Sequence, residues 1–215
     1  MEWASVPEVR KKAGVSEEDY TDVEIQEFIS WATKEVNSKI ITRYIRERIG
    51  FIDSYRSNKI DGSNTTYFVK NWLGKYLADS NFDNSIDVSD IKVVKLDRST
   101  NTESEVVVSS INPKECSFVL SEAPSNCELY VDYCVTSVDP ITPDSFLWQC
   151  TTYLAAGTSL VGNDGFDVKF GNVSIKPGKD GGKGKQLLTE YERLLDQLLV
   201  NINGGAAYGD MAEKI

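Results

Sequence analysis

Between Val23 and Ile45 the apolar residues fall mostly three or four apart: Val23, Ile25, Phe28, Ile29, Ala32, Val36, Ile40, Tyr44 and Ile45. That period lines one face of an α-helix and predicts a long helix over about residues 22–47. Glu27, Lys34, Lys39, Arg43 and Arg46 fall on the other face, which reads as solvated. Thr21 and Glu24 open the helix with the spacing of a capping box, each side chain satisfying the other residue's backbone N–H. A shorter helix precedes it through VPEVRKKA. Ser5 stands at its cap, Pro7 in the first turn where a missing N–H costs nothing, and Gly14 at its end.

The period changes in the middle of the chain. From about residue 51 to 139, TTYFVK, IKVVKL, SEVVVSS, CSFVLS and ELYVDYCV read as strands, separated by turn-rich pieces such as DRSTNTE, INPKE and EAPSNC. Five short strands joined in this way predict a small antiparallel sheet or barrel. Helical spacing returns after Thr142, Pro143 and Asp144, a helix start signal. PDSFLWQCTTYLAAGTSLVG offers Phe146, Leu147, Cys150, Tyr153, Leu154 and Leu160 to a core. QLLTEYERLLDQLLVNI sets Leu187, Leu188, Tyr191, Leu194, Leu195, Leu198 and Ile202 on one broad face. The last stretch, GGAAYGDMAEKI, has no period and reads as an arm or a disordered end. The predicted class is α+β: helices from both ends, residues 1–50 and 140–202, form one helical bundle, with a small antiparallel β domain inserted at 51–139. A Lys/Gly-rich loop at 162–185 joins the last two helices, and an arm at 203–215 finishes the chain.

One turn in the β region carries candidate chemistry. DSNFDNSIDVSD, residues 79–90, puts oxygen-bearing groups at positions 1, 3, 5, 7, 9 and 12 of a twelve-residue loop: Asp79, Asn81, Asp83, the Ser85 carbonyl, Asp87 and Asp90. Those are the ligand positions of an EF-hand-type calcium loop. Ile86 falls at position 8, where such loops bury an apolar side chain. Asn84 replaces the usual Gly at position 6, and Asp90 replaces the usual Glu at position 12, one methylene shorter. The plainer reading is an Asx-rich turn leading into a strand, its side chains bonded to their own backbone. If the loop holds Ca2+, the expected role is a structural clip at the start of the β region.

Charge and composition narrow the function. The chain has 215 residues and a net charge of -10, which disfavours a general nucleic-acid coat. It has no histidine, so Ser-His-Asp triads, Cys-His nucleophiles and His-ligated zinc are excluded. Cys116, Cys127, Cys134 and Cys150 contain no CxxC pair and read as reduced, buried small residues, with a disulfide among the first three left open. MEWASVPEVRKK is too polar for a signal peptide, and no apolar run reaches membrane-spanning length. The expectation is a soluble protein made in the cytoplasm. KFGNVSIKPGKDGGKGK, residues 169–185, holds five lysines, Lys169, Lys176, Lys179, Lys183 and Lys185, against the single acid Asp180. It reads as a mobile element able to touch phosphates without reading sequence, or as a plain solvated loop.

The order of the helical elements resembles the head–tail adaptor, or connector, proteins of tailed phages and related archaeal viruses. The resemblance rests on VPEVRKKAGV followed by TDVEIQEFISWATKEVNSKIITRYI, and on PDSFLWQCTTYLAAGTSLVG followed by GNVSIKPGKDGGKGKQLLTEYERLLDQLL. The turn Gly171, Asn172, Val173, Ser174, Ile175 is similar to the one joining the last two helices in that family. The likeness spans roughly residues 5–50 and 140–202, while the β insertion is not a defining feature of such proteins. The resemblance implies a ring, commonly of twelve subunits, in the virion neck. Its neighbours would be the portal and a tail or head-completion protein, and it would make non-specific contact with viral DNA in the channel. It assigns the lysines named above to that channel or to subunit contacts, and Tyr208, Met211 and Ile215 to a partner-docking arm.

Two other classes fit parts of the sequence. A calcium-dependent binding module would use the β region to read a receptor or carbohydrate. An enzyme would need a site; Glu128 or Asp132 on a strand are conceivable as paired carboxylates, but they read better as the solvent face of a strand. GKDGGKGK lacks the spacing of a phosphate loop. Trp3, Trp31, Trp72 and Trp148 read as core or interface residues rather than a base-stacking platform. The expectation is a non-catalytic virion protein.

Overall fold

The structure, a computed structural model, describes residues 3–50, 56–139, 145–161, 169–170, 173–174 and 181–212. Among these residues the protein is α+β, four helices and antiparallel sheets, dividing into two compact units, Met1–Ile40 with Thr142–Ile215, and Ile41–Ile141.

The first unit holds α1 (Val6–Ala13), α2 (Asp22–Ile40), α3 (Ser145–Leu160) and α4 (Gly181–Ala212). Ser5 stands in extended backbone at the start of α1 but makes no side-chain capping bond to it, its hydroxyl donating instead to Glu8 Oε2 at 2.8 Å. Gly14 ends α1 at φ 74°, donating its N–H to the Arg10 carbonyl at 2.7 Å. Thr21 and Glu24 close the capping box of α2: the Thr21 N–H reaches Glu24 Oε2 at 2.8 Å, and the Glu24 N–H reaches Thr21 Oγ1 at 3.3 Å. α3 packs against all three other helices, which is why it is apolar almost all round. Leu147, Cys150, Leu154 and Ala155 are buried, as are Thr151 and Ser159, whose hydroxyls are satisfied by carbonyls of their own helix. Ile25, Phe28, Ile29, Ala32 and Val36 of α2 supply the facing side of this core, and Leu194 and Leu198 of α4 another. Two glycines let α3 and α4 approach closely. A Cβ on Gly157 would stand 2.9 Å from Leu188 Cγ, and one on Gly184 would stand 2.8 Å from Val161 Cγ2.

The second unit is built from two antiparallel sheets. The larger has the order β1 (Ile41–Arg48), β8 (Cys127–Thr136), β4 (Lys92–Asp97), β5 (Glu103–Val106), with β3 (Tyr76–Leu77) also paired to β8. The smaller is β2 (Thr66–Phe68), β7 (Ser117–Leu120), β6 (Val108–Asn112). The ten-residue β8 organises the unit. Its inward residues Cys127, Leu129, Val131, Tyr133 and Val135 are buried with Tyr67, Phe118 and Leu120 of the smaller sheet and Val93 of β4, so both sheets share one core. In the helical unit, β9 (Lys169–Phe170) and β10 (Val173–Ser174) form a further antiparallel pair.

Several boundaries differ from those the sequence predicts. The helix expected to reach residue 47 stops at Ile40, and Ile41–Arg48 is a strand paired to Tyr130–Thr136. The β-branched run Ile40, Ile41, Thr42 weakens the helix there, and a long partner strand takes up the backbone groups. SEVVVSS, expected as one strand, breaks at exposed Val107 into β5 and β6, which belong to different sheets. The loop expected to run to 185 ends earlier: Gly181 already begins α4, so Lys183 and Lys185 are helical. The arm expected from residue 203 continues α4 to Ala212. Once a helix is nucleated, extension past Gly204 and Gly205 costs only about 1 kcal/mol per glycine, and Ala206 and Ala207 favour it. The helix expected from Pro143 is described from Ser145.

Candidate functional site

The 79–90 turn folds as a closed loop between β3 and β4. Phe82 and Asn84 adopt left-handed backbone, φ 60° and 70°, so the chain turns sharply at the fourth and sixth positions. Asn tolerates this conformation better than most residues. The loop's backbone N–H groups are answered by its own side chains. Asn84 N–H donates to Asp79 Oδ2 at 2.8 Å, Asp83 N–H to Asn81 Oδ1 at 2.9 Å, and Ser85 N–H to Asp83 Oδ1 at 2.8 Å. At the far end Val88–Asp90 forms a 3-10 turn with a full capping box: Ser89 N–H reaches Asp87 Oδ1 and Asp87 N–H reaches Asp90 Oδ2. Ser80 N–H, on the entering strand side, donates to Asp90 Oδ1 at 2.6 Å, so Asp90 ties the two ends of the loop together.

The six nominated positions do not share one environment. Asp79 and Asp90 are buried, at 4% and 3% exposure, and lie close enough for their charges to interact. Asn81, Asp83, Ser85 and Asp87 are exposed on the rim. There Asn81 Nδ2 donates to Asp83 Oδ2 and to Ser89 Oγ, and Ser85 Oγ donates to Asp87 Oδ2. Burial is the main cause raising the Asp90 carboxyl above its usual range, Asp79 adding to it; hydrogen bonds from Ser89 hold Asp87 below that range. Among the described residues, no three Asp, Glu, Cys or His side chains converge as a metal-holding group. Ile86 is half-buried.

The nominated lysines separate as well. Lys183, on the first turn of α4, donates to the Ala13 carbonyl at 2.8 Å and so caps the C-terminal end of α1. Lys185 is exposed on the same helix, Lys169 lies on β9, and Lys176 and Lys179 fall outside the described residues. Tyr208 and Met211 lie on the last turns of α4, and Ile215 is outside the described residues.

The carboxylate pair on β8 is engaged. Glu128 accepts from Arg48 at 3.0 Å and from the Tyr130 hydroxyl at 2.9 Å, and Asp132 accepts the Arg46 N–H at 2.6 Å. That last bond secures a bulge in β1, where Arg46 is left-handed and Ile45 is exposed. All four cysteines are buried and none is in a disulfide, with burial raising the thiols of Cys116, Cys127 and Cys134. Trp3 is buried and the other three tryptophans are half-buried. Two features escape the sequence pattern. Arg56 lies over the rings of Phe68 and Trp72, at 4.6 and 4.0 Å. The buried Tyr133 hydroxyl donates to Glu47 and accepts from Asn71. The Tyr133–Glu47 contact needs β1 paired to β8, and the Arg56 contact needs a loop folded back over the end of β2, neither of which spacing along the chain reveals. In the helical unit a cleft of about 570 Å³ lies between α1 and α3, lined by Lys11, Lys12, Trp148 and Tyr153. No helix among the described residues is long and apolar enough to cross a membrane. No protein-family model matches the chain, and no curated protein or solved structure does either.

Proposed function

We propose that the chain is a structural virion protein, a subunit of a head–tail adaptor ring that joins the portal to the tail and surrounds the DNA channel. The observation that carries this reading is the order of the elements. Helices from both ends of the sequence gather into one unit around α3, and a separate antiparallel β unit interrupts them. In this reading α1–α4 form the helical bundle of an adaptor, and Ile41–Ile141 is the inserted β domain. Assembly would proceed through helical faces and the β9–β10 segment, with a tail or head-completion protein meeting the end of α4. The proposed role involves no catalysis, and the engagement of Glu128 and Asp132 by neighbouring groups supports it.

Within this reading the lysines serve differently from one another. Lys183 caps α1, so contact with DNA phosphates would fall chiefly to Lys169, Lys176 and Lys179. Such contacts would hold DNA without selecting sequence. The reading is tested by labelling virus particles with an antibody against this chain. Signal confined to the junction of head and tail supports it; signal spread over the capsid, or absent from particles, overturns it.

A further inference from the structure

The 79–90 loop leaves an electrostatic account open. Asp79 and Asp90 are both at least nine-tenths buried and interact electrostatically, yet neither forms an ion pair among the described residues. Two cations border Asp90 in one surface pocket: Arg43 spends its guanidinium on the Ser80 carbonyl at 2.8 Å and on Cys134, and Lys92 pairs with Glu105. Asp79 holds the Asn84 N–H at mid-loop with Oδ2, so its carboxylate reaches across the loop, and its Oδ1 is buried with no hydrogen-bond partner. A buried carboxylate oxygen without a donor is costly, and the buried Asp90 carboxylate beside it, though both its oxygens accept backbone N–H groups, adds like charge.

We propose that this loop is a calcium site, with Asp79 Oδ1 the innermost ligand and Asp90 the ligand that closes the loop. The missing counter-charge is then a hard divalent cation, which takes six to eight oxygens at flexible geometry. A cluster of three acids is not required. Two buried carboxylates can be joined by Asp83, the Asn81 amide oxygen, the Ser85 carbonyl and water. Asp83 Oδ2 accepts from the Asn81 side chain and Asp87 Oδ2 from the Ser85 hydroxyl, side-chain bonds rather than backbone ones. Both are released by side-chain rotation while the backbone-held oxygens stay in place. Asn84 supplies the sharp turn usually made by Gly at the sixth position. Octahedral Mg2+, smaller and reluctant to lose water, fits such a loop less well than Ca2+. This inference is independent of the adaptor reading, since a metal clip on the β unit would serve any function.

The test uses the full chain after exhaustive chelation. Calorimetric titration with CaCl2 should show one site per chain, with weaker binding of MgCl2. The melting temperature should rise with calcium and fall back with chelator. In Asp79→Asn the calcium response should vanish, while in chelator the variant should melt no lower than wild type because a buried, uncompensated charge has gone. Asp83→Asn, on the exposed rim, should fold normally and weaken calcium binding at least about tenfold, as losing a charged ligand does in loops tuned by charge count. Absence of calcium binding by folded wild type at millimolar concentration overturns the site. So does an undiminished calcium response in Asp79→Asn or in Asp83→Asn.

Discussion

Replacing Gly157 by alanine tests the packing of α3 on α4 with two opposed effects of known size. Taken alone, α3 would gain from the change, because Ala favours a helix interior over Gly by about 0.8–1.0 kcal/mol. The new Cβ, however, would lie 2.9 Å from Leu188 Cδ2 and Cγ and 3.2 Å from the Leu188 backbone N. Carbon pairs are at their best near 3.5–4.0 Å. The side-chain atoms could rotate away, but the backbone N can yield only if α4 shifts. Overpacking of this kind costs about 1–3 kcal/mol. The net expectation is a loss of about 1 kcal/mol, read as a lower urea midpoint of the helical signal at 222 nm. Gly184→Ala should act in the same direction, since its Cβ would meet Val161 Cγ2 at 2.8 Å and Val161 N at 2.9 Å. A gain of about 1 kcal/mol in either variant, the value set by propensity alone, would refute the close approach of the two helices.

Three further outcomes follow from individual groups. Thr21→Ala removes the capping box of α2 and should cost about 1 kcal/mol in urea unfolding, with Thr21→Ser restoring most of it; no loss would contradict the cap. Tyr133→Phe leaves Glu47 and Asn71 short of a buried hydroxyl partner and should cost about 1–3 kcal/mol; an unchanged midpoint would show that the contact contributes nothing. Asp61 is held at about 2, against 3.8 for the unperturbed group, chiefly by the N–H groups of Asn64 and Ser63. Its folded value is depressed, so its contribution is present above the unfolded value and is lost as pH falls from about 4 through about 2. A carbon-detected NMR titration of the Asp61 carboxyl should find its midpoint near 2, and a midpoint near 4 would contradict the turn.

How far the fold is legible depends on the range of the forces involved. Capping at Thr21 and Glu24, the stop at Gly14 and the alternation along Cys127–Thr136 are local, and the structure forms them where the sequence places them. The end of α2 is not local. Tyr44 and Ile45 continue the helical period, yet pairing with β8 turns them into a strand, with Ile45 outward at a bulge. The split of SEVVVSS between two sheets is likewise decided by the partner each half finds. In the 79–90 loop the turn chemistry was readable, including the left-handed demand on Asn84. The burial of Asp79 and Asp90, against the exposure of Asp83 and Asp87, was not, because it depends on β3 and β4 flanking the loop. The capping of α1 by Lys183 joins residues 170 positions apart and has no sequence signal.

The most direct test of the adaptor reading is the mass of the purified chain in solution, alone and mixed with the portal of the same virus. A closed ring of about twelve copies, or a portal-bound ring where the chain alone stays small, is the predicted result. A chain that remains monomeric at high concentration and ignores the portal would contradict it.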